Sequence, residues 1–295
     1  MADYIISCSS TVDLSNEYME RRGIPYTCFH FELDGVDYPD DMGRSMDPET
    51  LYDKMSKGAS TKTSQVTIGD YTVFFENYLK KGMDILHICF SSGLSGAYSS
   101  ALVAAESLRE QFPERKLYIV DSLAASSGHG LLVDTLADMR DAGADIDSLR
   151  DFVMENRLKL NHWFFSTDLT FYIRGGRISK ASGFIGSVLN ICPLLNVNNE
   201  GKLIPREKIR GKKRVIRRIV EQMEMHARDG HDYDGKCFIS QSACMEDARE
   251  VAALIEEKFP KLAEPVQIFP IGTTIGSHTG PGTVAVFFWG DERGE

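Results

Sequence analysis

Asp84-Ile85-Leu86-His87-Ile88-Cys89-Phe90-Ser91-Ser92-Gly93-Leu94-Ser95-Gly96, continued by Ala97 to Gln111, is the stretch on which the reading of this chain turns. Residues 85–90 are a short apolar run, β-branched in part and closed by a Ser/Gly turn, which predicts a buried strand. Ala97 to Gln111 is rich in Ala, Leu, Ser and Glu and predicts a helix. The two glycines of the turn permit close backbone approach. The helix start leaves N–H groups without intrahelical partners and favours negative charge, and Ser91, Ser92 and Ser95 add hydroxyl donors. Such a turn can cradle a small anion, a carboxylate or a phosphate. Taken alone it reads equally well as an ordinary N-capped βα turn.

Working outward, Tyr4 to Ser7 predicts a first strand, followed by a capped helix from Leu14 to Arg22. A second strand, Ile24 to Leu33, leads to an acidic loop, Asp37 to Asp41. Asp47-Pro48-Glu49 opens a short helix ending near Gly58. A polar loop, Ser60 to Gln65, precedes a helix from Gly69 to Lys81. Beyond the central unit come a strand, Leu117 to Val120, and helices Gly128 to Ala142 and Asp147 to Lys159. This alternation predicts a parallel α/β domain over residues 1–160, with ligands outside the carboxyl ends of its strands. Over residues 161–295, Trp163 to Ser166 is a strand, Arg174-Gly175-Gly176-Arg177 a tight turn, and Ser182 to Ile191 a helix. Leu194 to Val197 and Lys202 to Pro205 flank a turn signal and predict a β-hairpin. Helix Lys212 to Arg228, strand Cys237 to Ser240, helix Glu246 to Lys258, and strands Val266 to Ile271 and Val284 to Trp289 follow. A loop with four glycines, Gly272 to Gly282, lies between the last two strands. With a hairpin present, the second sheet should be mixed.

The composition, 42% hydrophobic and 26% charged, is that of a soluble globular protein, and 295 residues suit two domains. A net charge of -10 argues against general nucleic-acid binding. No apolar run reaches membrane-spanning length, and the N-terminus has no signal-peptide pattern. Six scattered cysteines form no C-x-x-C pair, so no metal site or disulfide framework is expected, and reduced thiols in the cytoplasm are. Against the acidic whole, Arg206, Lys208, Arg210, Lys212, Lys213, Arg214, Arg217 and Arg218 form a basic run. It reads either as a solvated helix face or as a docking surface for an anionic partner; no aromatic platform accompanies it.

Several stretches together resemble the DegV family: Thr63-Ser64-Gln65, Ser91 to Gly96, Arg174-Gly175-Gly176-Arg177-Ile178-Ser179, Ile209-Arg210-Gly211-Lys212-Lys213, and Ile275-Gly276-Ser277-His278-Thr279-Gly280-Pro281-Gly282. They stand in the family's order and spacing, and the match runs from about Tyr4 to Trp289. The resemblance implies a two-domain α/β protein of bacterial type that binds one long-chain fatty acid, C16–C18, between its domains and takes no cofactor. It further implies a carrier rather than an enzyme, one that offers the carboxylate to a separate ATP-binding kinase subunit for conversion to an acyl phosphate. In that case Thr63 or Ser64, with Ser92 or Ser95 and the glycines Gly93 and Gly96, binds the carboxylate, and His278 lies at the head-group end. This chain departs from the family at Ser9-Ser10-Thr11, usually Asp-Ser-Thr, at Val66, usually Pro, and at Ala97, usually Thr.

Phe184, Ile185, Val188, Leu189, Ile191, Phe269 and Ile271 are candidates for an acyl tunnel, though each could equally be plain core. Arg174, Arg177, Arg210 and Lys213 are candidates for docking a partner, and Arg174 and Arg177 also for clamping an anion or fixing their turn. Two other functions compete. Ser95 could be the nucleophile of a hydrolase, although Gly93-Leu94-Ser95-Gly96-Ala97 lacks the second glycine of G-x-S-x-G at its place. His278 could carry phosphate in a phosphotransfer protein. No P-loop and no G-x-G-x-x-G is present, so the chain itself is not expected to bind a nucleotide.

Overall fold

The computed structural model describes residues 4–179 and 190–295. The first half contains β1 (Tyr4–Ser9), α1 (Asn16–Arg22), β2 (Tyr26–Thr27), β3 (His30–Leu33), β4 (Val36–Pro39), α2 (Pro48–Ser56), β5 (Thr61–Ser64), α3 (Ile68–Leu79), β6 (Asp84–Cys89), α4 (Ala97–Gln111), β7 (Leu117–Asp121), α5 (Ser126–Asp141) and α6 (Ile146–Asn156). Strands in the order β2-β1-β6-β7 make a parallel sheet. Helices cover both of its faces, so Ile85 to Cys89 are buried throughout. Ile85 and Cys89 pack with α3 and α4; Leu86 and Ile88 pack with α1, α5 and α6.

Residues 24–33 do not form one strand. β2 joins the parallel sheet, whereas β3 pairs antiparallel with β4 and β5 in a separate three-stranded sheet. The acidic stretch expected as a loop supplies β4 up to Pro39, and the polar stretch from Ser60 to Gln65 supplies β5. The reason lies in a single buried face. Phe31 and Leu33 of β3 pack on Leu51, Tyr52 and Met55 of α2, and the partner strands bury so little that their composition reads as loop.

The second half adds β8 (Leu160–Ser166), α7 (Thr170–Arg174), β9 (Ile191–Val197), β10 (Leu203–Arg210), α8 (Lys212–His226), β11 (Phe238–Gln241), α9 (Met245–Lys258), β12 (Gln267–Pro270), α10 (Thr273–Thr279) and β13 (Thr283–Trp289). The sheet order is β10-β9-β8-β13-β11-β12, with only β11 and β12 parallel, so the sheet is mixed. α8 and α9 cover one face. The hairpin β9–β10 is longer than expected and carries a register shift between Pro205 and Glu207. Of the helix expected over 182–191, residues 182–189 lie outside the described residues, and Ile191 opens a strand. The glycine-rich loop contains a helix, α10, which Gly280 terminates with φ 65.

α5 packs against β1 of the first sheet and against β11 and β13 of the second. Its residues Ser126 to Asp134 are all buried. The fully buried Asp134 side chain receives Arg22 Nε at 3.0 Å and Lys236 Nζ at 2.6 Å. It therefore ties α1 and the segment before β11 to the helix between them. Arg22 and Lys236 keep Asp138, and Arg22 also Asp141, when Asp134 is removed, so Asp134→Ala should cost about 1.5–3 kcal/mol in urea unfolding, the range of hydrogen bonds to a charged group. A loss below about 1 kcal/mol, the range of a surface pair, would show that α5 is not held this way.

Candidate functional site

The turn after β6 is pinned to the β9–β10 hairpin. Ser91 Oγ donates to the Gly201 carbonyl at 2.8 Å and accepts the Gly93 N–H at 3.1 Å. A Cβ on Gly93 would lie 2.6 Å from the Glu200 carbonyl oxygen, so glycine is required there by packing. The Ser92 N–H donates to Asp121 at 3.1 Å, and its side chain is exposed. Ser92 and Gly93 therefore serve the turn and do not line the cavity beside it. Leu94, Ser95 and Gly96 do line it. Ser95 Oγ accepts the Ala97 N–H at 3.2 Å, which leaves its own proton available for an acceptor.

β5 faces this turn across the cavity mouth. Gln65 Nε2 donates to Ser100 Oγ on α4 at 3.0 Å, and a Cβ on Gly96 would meet Gln65 Oε1 at 2.8 Å. Thr63 Oγ1 lies 2.7 Å from His278 Nε2. The other ring nitrogen of His278 is buried without a partner among the described residues. Burial first, and the nearby Arg177 charge second, push the His278 pKa down to about 4. Gly175 has no side chain where His278 Nδ1 sits, so the Arg-Gly-Gly-Arg turn comes against the ring. Arg177 is half-buried, and its Nη1 donates to the Gly175 carbonyl at 2.6 Å. No carboxylate among the described residues neutralises it. Burial lowers its pKa, the signature of a cation taken out of water.

These groups share one cavity of about 620 Å³, within the range of small-molecule sites. Thr63, Ser64, Gln65, Ser95, Gly96, Arg177 and His278 make its polar end. Much of the remaining wall is one face of the mixed sheet. Phe164 pairs with Ala285 and His162 with Phe287 in the β8–β13 register, and all four line the cavity, as same-face positions should. Val197, Leu203, Phe29, Phe90 and Ile271 extend this apolar lining. His162 is already satisfied: its Nδ1 bonds the Leu160 carbonyl at 3.0 Å and its Nε2 accepts the Ala125 N–H at 3.3 Å. Burial holds it neutral.

Of the expected tunnel residues, Ile271 lines the cavity. Phe269 does not; it packs edge-on against Tyr18 at 5.8 Å and Phe238 at 5.2 Å in the adjoining core. Ile191 sits at the far end of β9, paired with Arg210, away from the cavity. Phe184, Ile185, Val188 and Leu189 lie outside the described residues. Sequence reading missed Phe164, Val197, Leu203, Ala285 and Phe287. Alternation along β8 and β13 was the available signal, but both faces of these strands are apolar and buried, so it does not tell wall from core.

Arg174 is exposed, with its guanidinium 5.4 Å from the Phe171 ring centre. In the basic run, Lys212 pairs with Asp247, Arg218 with Glu207, and Arg206 bonds Asn196. Arg210, Lys213, Arg214 and Arg217 are exposed, and no acidic residue among the described ones pairs with them. Among the described residues no imidazole bonds Ser95, and the hydroxyl that His278 meets is that of Thr63, so the hydrolase geometry expected at Ser95 is not assembled.

A family model described as an uncharacterised protein, DegV family, matches residues 5–291. A DegV domain-containing protein of Clostridium perfringens is 38% identical over 293 residues, 99% of each chain. A solved structure described as fatty acid binding by a DegV family protein from Thermus thermophilus is similar at 25% identity and TM-score 0.86, covering 98% of this chain and 99% of that one. The fatty acid kinase B3 protein of Streptococcus pneumoniae, solved with linoleic acid, shares the fold at 20% identity and TM-score 0.83, covering 99% and 100%.

The depressed His278 pKa has a direct consequence. An unfolded histidine takes up its proton near pH 6.5, whereas the folded protein resists doing so until about pH 4, so acidification through this window weakens the fold. ¹⁵N-histidine NMR should show His278 neutral from about pH 5 to 8. A titration midpoint near 6.5 would contradict the buried geometry.

Proposed function

The chain belongs to the DegV family, and we propose that it binds one long-chain fatty acid in this cavity and presents the carboxylate to an ATP-binding kinase subunit. The observation that carries the reading is a guanidinium, Arg177, with no carboxylate partner among the described residues, beside hydroxyl donors at one end of a cavity whose remaining wall is largely hydrocarbon. A fatty acid has that same polarity. The Thermus thermophilus relative, described by its fatty acid binding, supports it.

Residues 1–160 supply the hydroxyls of Thr63, Ser64 and Ser95, and residues 161–295 supply Arg177, His278 and the sheet face that covers the tail. Each methylene withdrawn from water contributes about 0.8 kcal/mol, so a sixteen-carbon chain gains on the order of 10 kcal/mol if enclosed. Part of this is offset by immobilising the ligand. The carboxylate end requires donors to compensate its lost hydration, and charge-assisted hydrogen bonds supply about 1.5–3 kcal/mol each. A carboxylate is already a nucleophile at neutral pH, so transfer of a phosphoryl group to it needs no base from this chain. Its oxygen attacks the terminal phosphorus of ATP, the bond to the bridging oxygen breaks, and ADP leaves from the kinase subunit. Exposed and without an acidic partner among the described residues, Arg210 and Lys213, with Arg214 and Arg217, form the proposed docking face for that subunit.

Mass spectrometry of lipid extracted from the native protein should find a single C16–C18 acid. The double change Thr63→Ala/Ser95→Ala should weaken palmitate binding by about tenfold or more, as expected for two lost charge-assisted bonds. Unchanged affinity would remove both residues from the head-group site. Arg210→Glu/Lys213→Glu should leave palmitate affinity intact and slow acyl-phosphate formation with the kinase subunit, most at low salt. An unaffected rate would make the basic run a solvated face.

A further inference from the structure

We propose that Asp40 is a positioning residue for the head-group end of the cavity, acting through α10 on the contact between His278 and Thr63. The proposal rests on the fatty-acid reading above. Asp40 follows β4 and is 1% exposed. No cation pairs with it among the described residues; it is held by hydrogen bonds alone. Its Oδ1 accepts the Thr273 hydroxyl at 2.9 Å, and its Oδ2 accepts the Thr274 N–H and the Ser10 hydroxyl, each at 3.3 Å. Thr273 and Thr274 are the first two residues of α10. The Asp40 N–H donates to the Phe29 carbonyl at 2.8 Å, and Ser10 Oγ accepts the Phe29 N–H at 3.1 Å. Through its carboxyl group and its own N–H, Asp40 thus joins the turn after β1, a residue of the cavity wall and the start of α10.

The other end of α10 returns to the same small sheet. β3 pairs with β4 on one side and with β5 on the other, and Thr63 of β5 holds His278. From Thr273 to His278 the helix rises about 7.5 Å, at 1.5 Å per residue. α10 is therefore a short rigid brace, pinned to one sheet at both ends. Gly272 confirms how closely the first pin is built: a Cβ there would lie 2.5 Å from Asp13 Oδ1 and 3.6 Å from Asp40 Oδ1. If Asp40 releases Thr273 and Thr274, the brace can shift along its axis and His278 leaves Thr63, whose hydroxyl then loses the contact that fixes its orientation. Asn in place of Asp keeps an acceptor for the Thr273 hydroxyl but opposes an N–H₂ to the Thr274 N–H, so Asp40→Asn tests the pin with little change in size.

Two measurements decide the matter. In ligand-free protein, ¹⁵N-histidine spectra should show the His278 ring resonances moved in Asp40→Asn while those of His129, buried in α5 away from α10, stay in place. In palmitate titrations, Asp40→Asn and Thr63→Ala should each weaken binding, and the double variant should be no weaker than Thr63→Ala alone. Non-additivity of this kind marks residues that act through one another. Thr273→Val, which removes one hydroxyl and leaves the carboxyl group in place, should show the same non-additivity and answers the question if Asp40→Asn does not fold. Additive losses, or an unmoved His278 resonance, would overturn the proposal and leave Asp40 with a purely structural role. Absence of palmitate binding by the unaltered protein would instead overturn the fatty-acid reading, while the ligand-free spectrum would still report on the brace.

Discussion

Two sheets share one helix. The first turns of α5 are buried from every side because β1 lies against one flank and β11 and β13 against another. Glycines make this possible where side chains would collide: a Cβ on Gly130 would meet Leu14 and the Val12 carbonyl at 2.8 Å, and one on Gly128 would meet Phe287 at 2.5 Å. Ser126 and Ser127 bond Ser240 of β11 across the junction, and Asp134 continues the attachment through Arg22 and Lys236. Because the parallel sheet and the mixed sheet cannot close fully around a common helix, a cavity remains between the carboxyl ends of the one and a face of the other. Its chemistry is inherited from its two sides, hydroxyls and backbone from the strand-end turns and hydrocarbon from the sheet face.

The electrostatics follow from the same junction. Arg177 is withdrawn from water without a carboxylate among the described residues, and His278 beside it stays neutral because it too is buried. Two acidic groups, Asp13 and Asp40, lie buried behind α10. Burial raises the pKa of both, and hydrogen bonds from Ser126, Thr273 and Thr274 counter that effect. The acids are thus occupied in holding loops, while Arg177 is among the residues that line the cavity.

Much of the frame was legible in the residues. The apolar run of β6 and its Ser/Gly turn identified a buried parallel strand, and the ordered motifs identified the family. What was not legible has physical causes. Thr61 to Ser64 is a strand of polar residues alone, and in Val36 to Pro39 an acidic residue and a proline mask the strand, which is tolerated because their sheet buries only one face. α10 hides among four glycines, of which Gly272 and Gly276 are there for close packing, against Asp13 and Tyr52, while Gly280 and Gly282 take positive φ just beyond the helix. Gly93 reads as part of an anion cradle but is needed for contact with Glu200 and Gly201. Phe269 and Phe287 are both aromatic residues on apolar strands; only the packing of Tyr18 and Phe238 around the first separates core from cavity wall.

The central claim is an orientation, with the carboxylate at Thr63, Ser95, Arg177 and His278 and the tail on the face of the mixed sheet. Palmitate labelled with ¹³C at the carboxyl carbon and at the terminal methyl tests it directly. The account predicts intermolecular NOEs from the methyl protons to the side chains of the sheet face, Phe164, Val197, Leu203, Ala285 or Phe287, and a carboxyl ¹³C resonance that stays ionised as the pH is lowered through the range where free palmitate protonates. Methyl NOEs to Thr63 or Ser95, or a carboxyl resonance that titrates as in free acid, would contradict it.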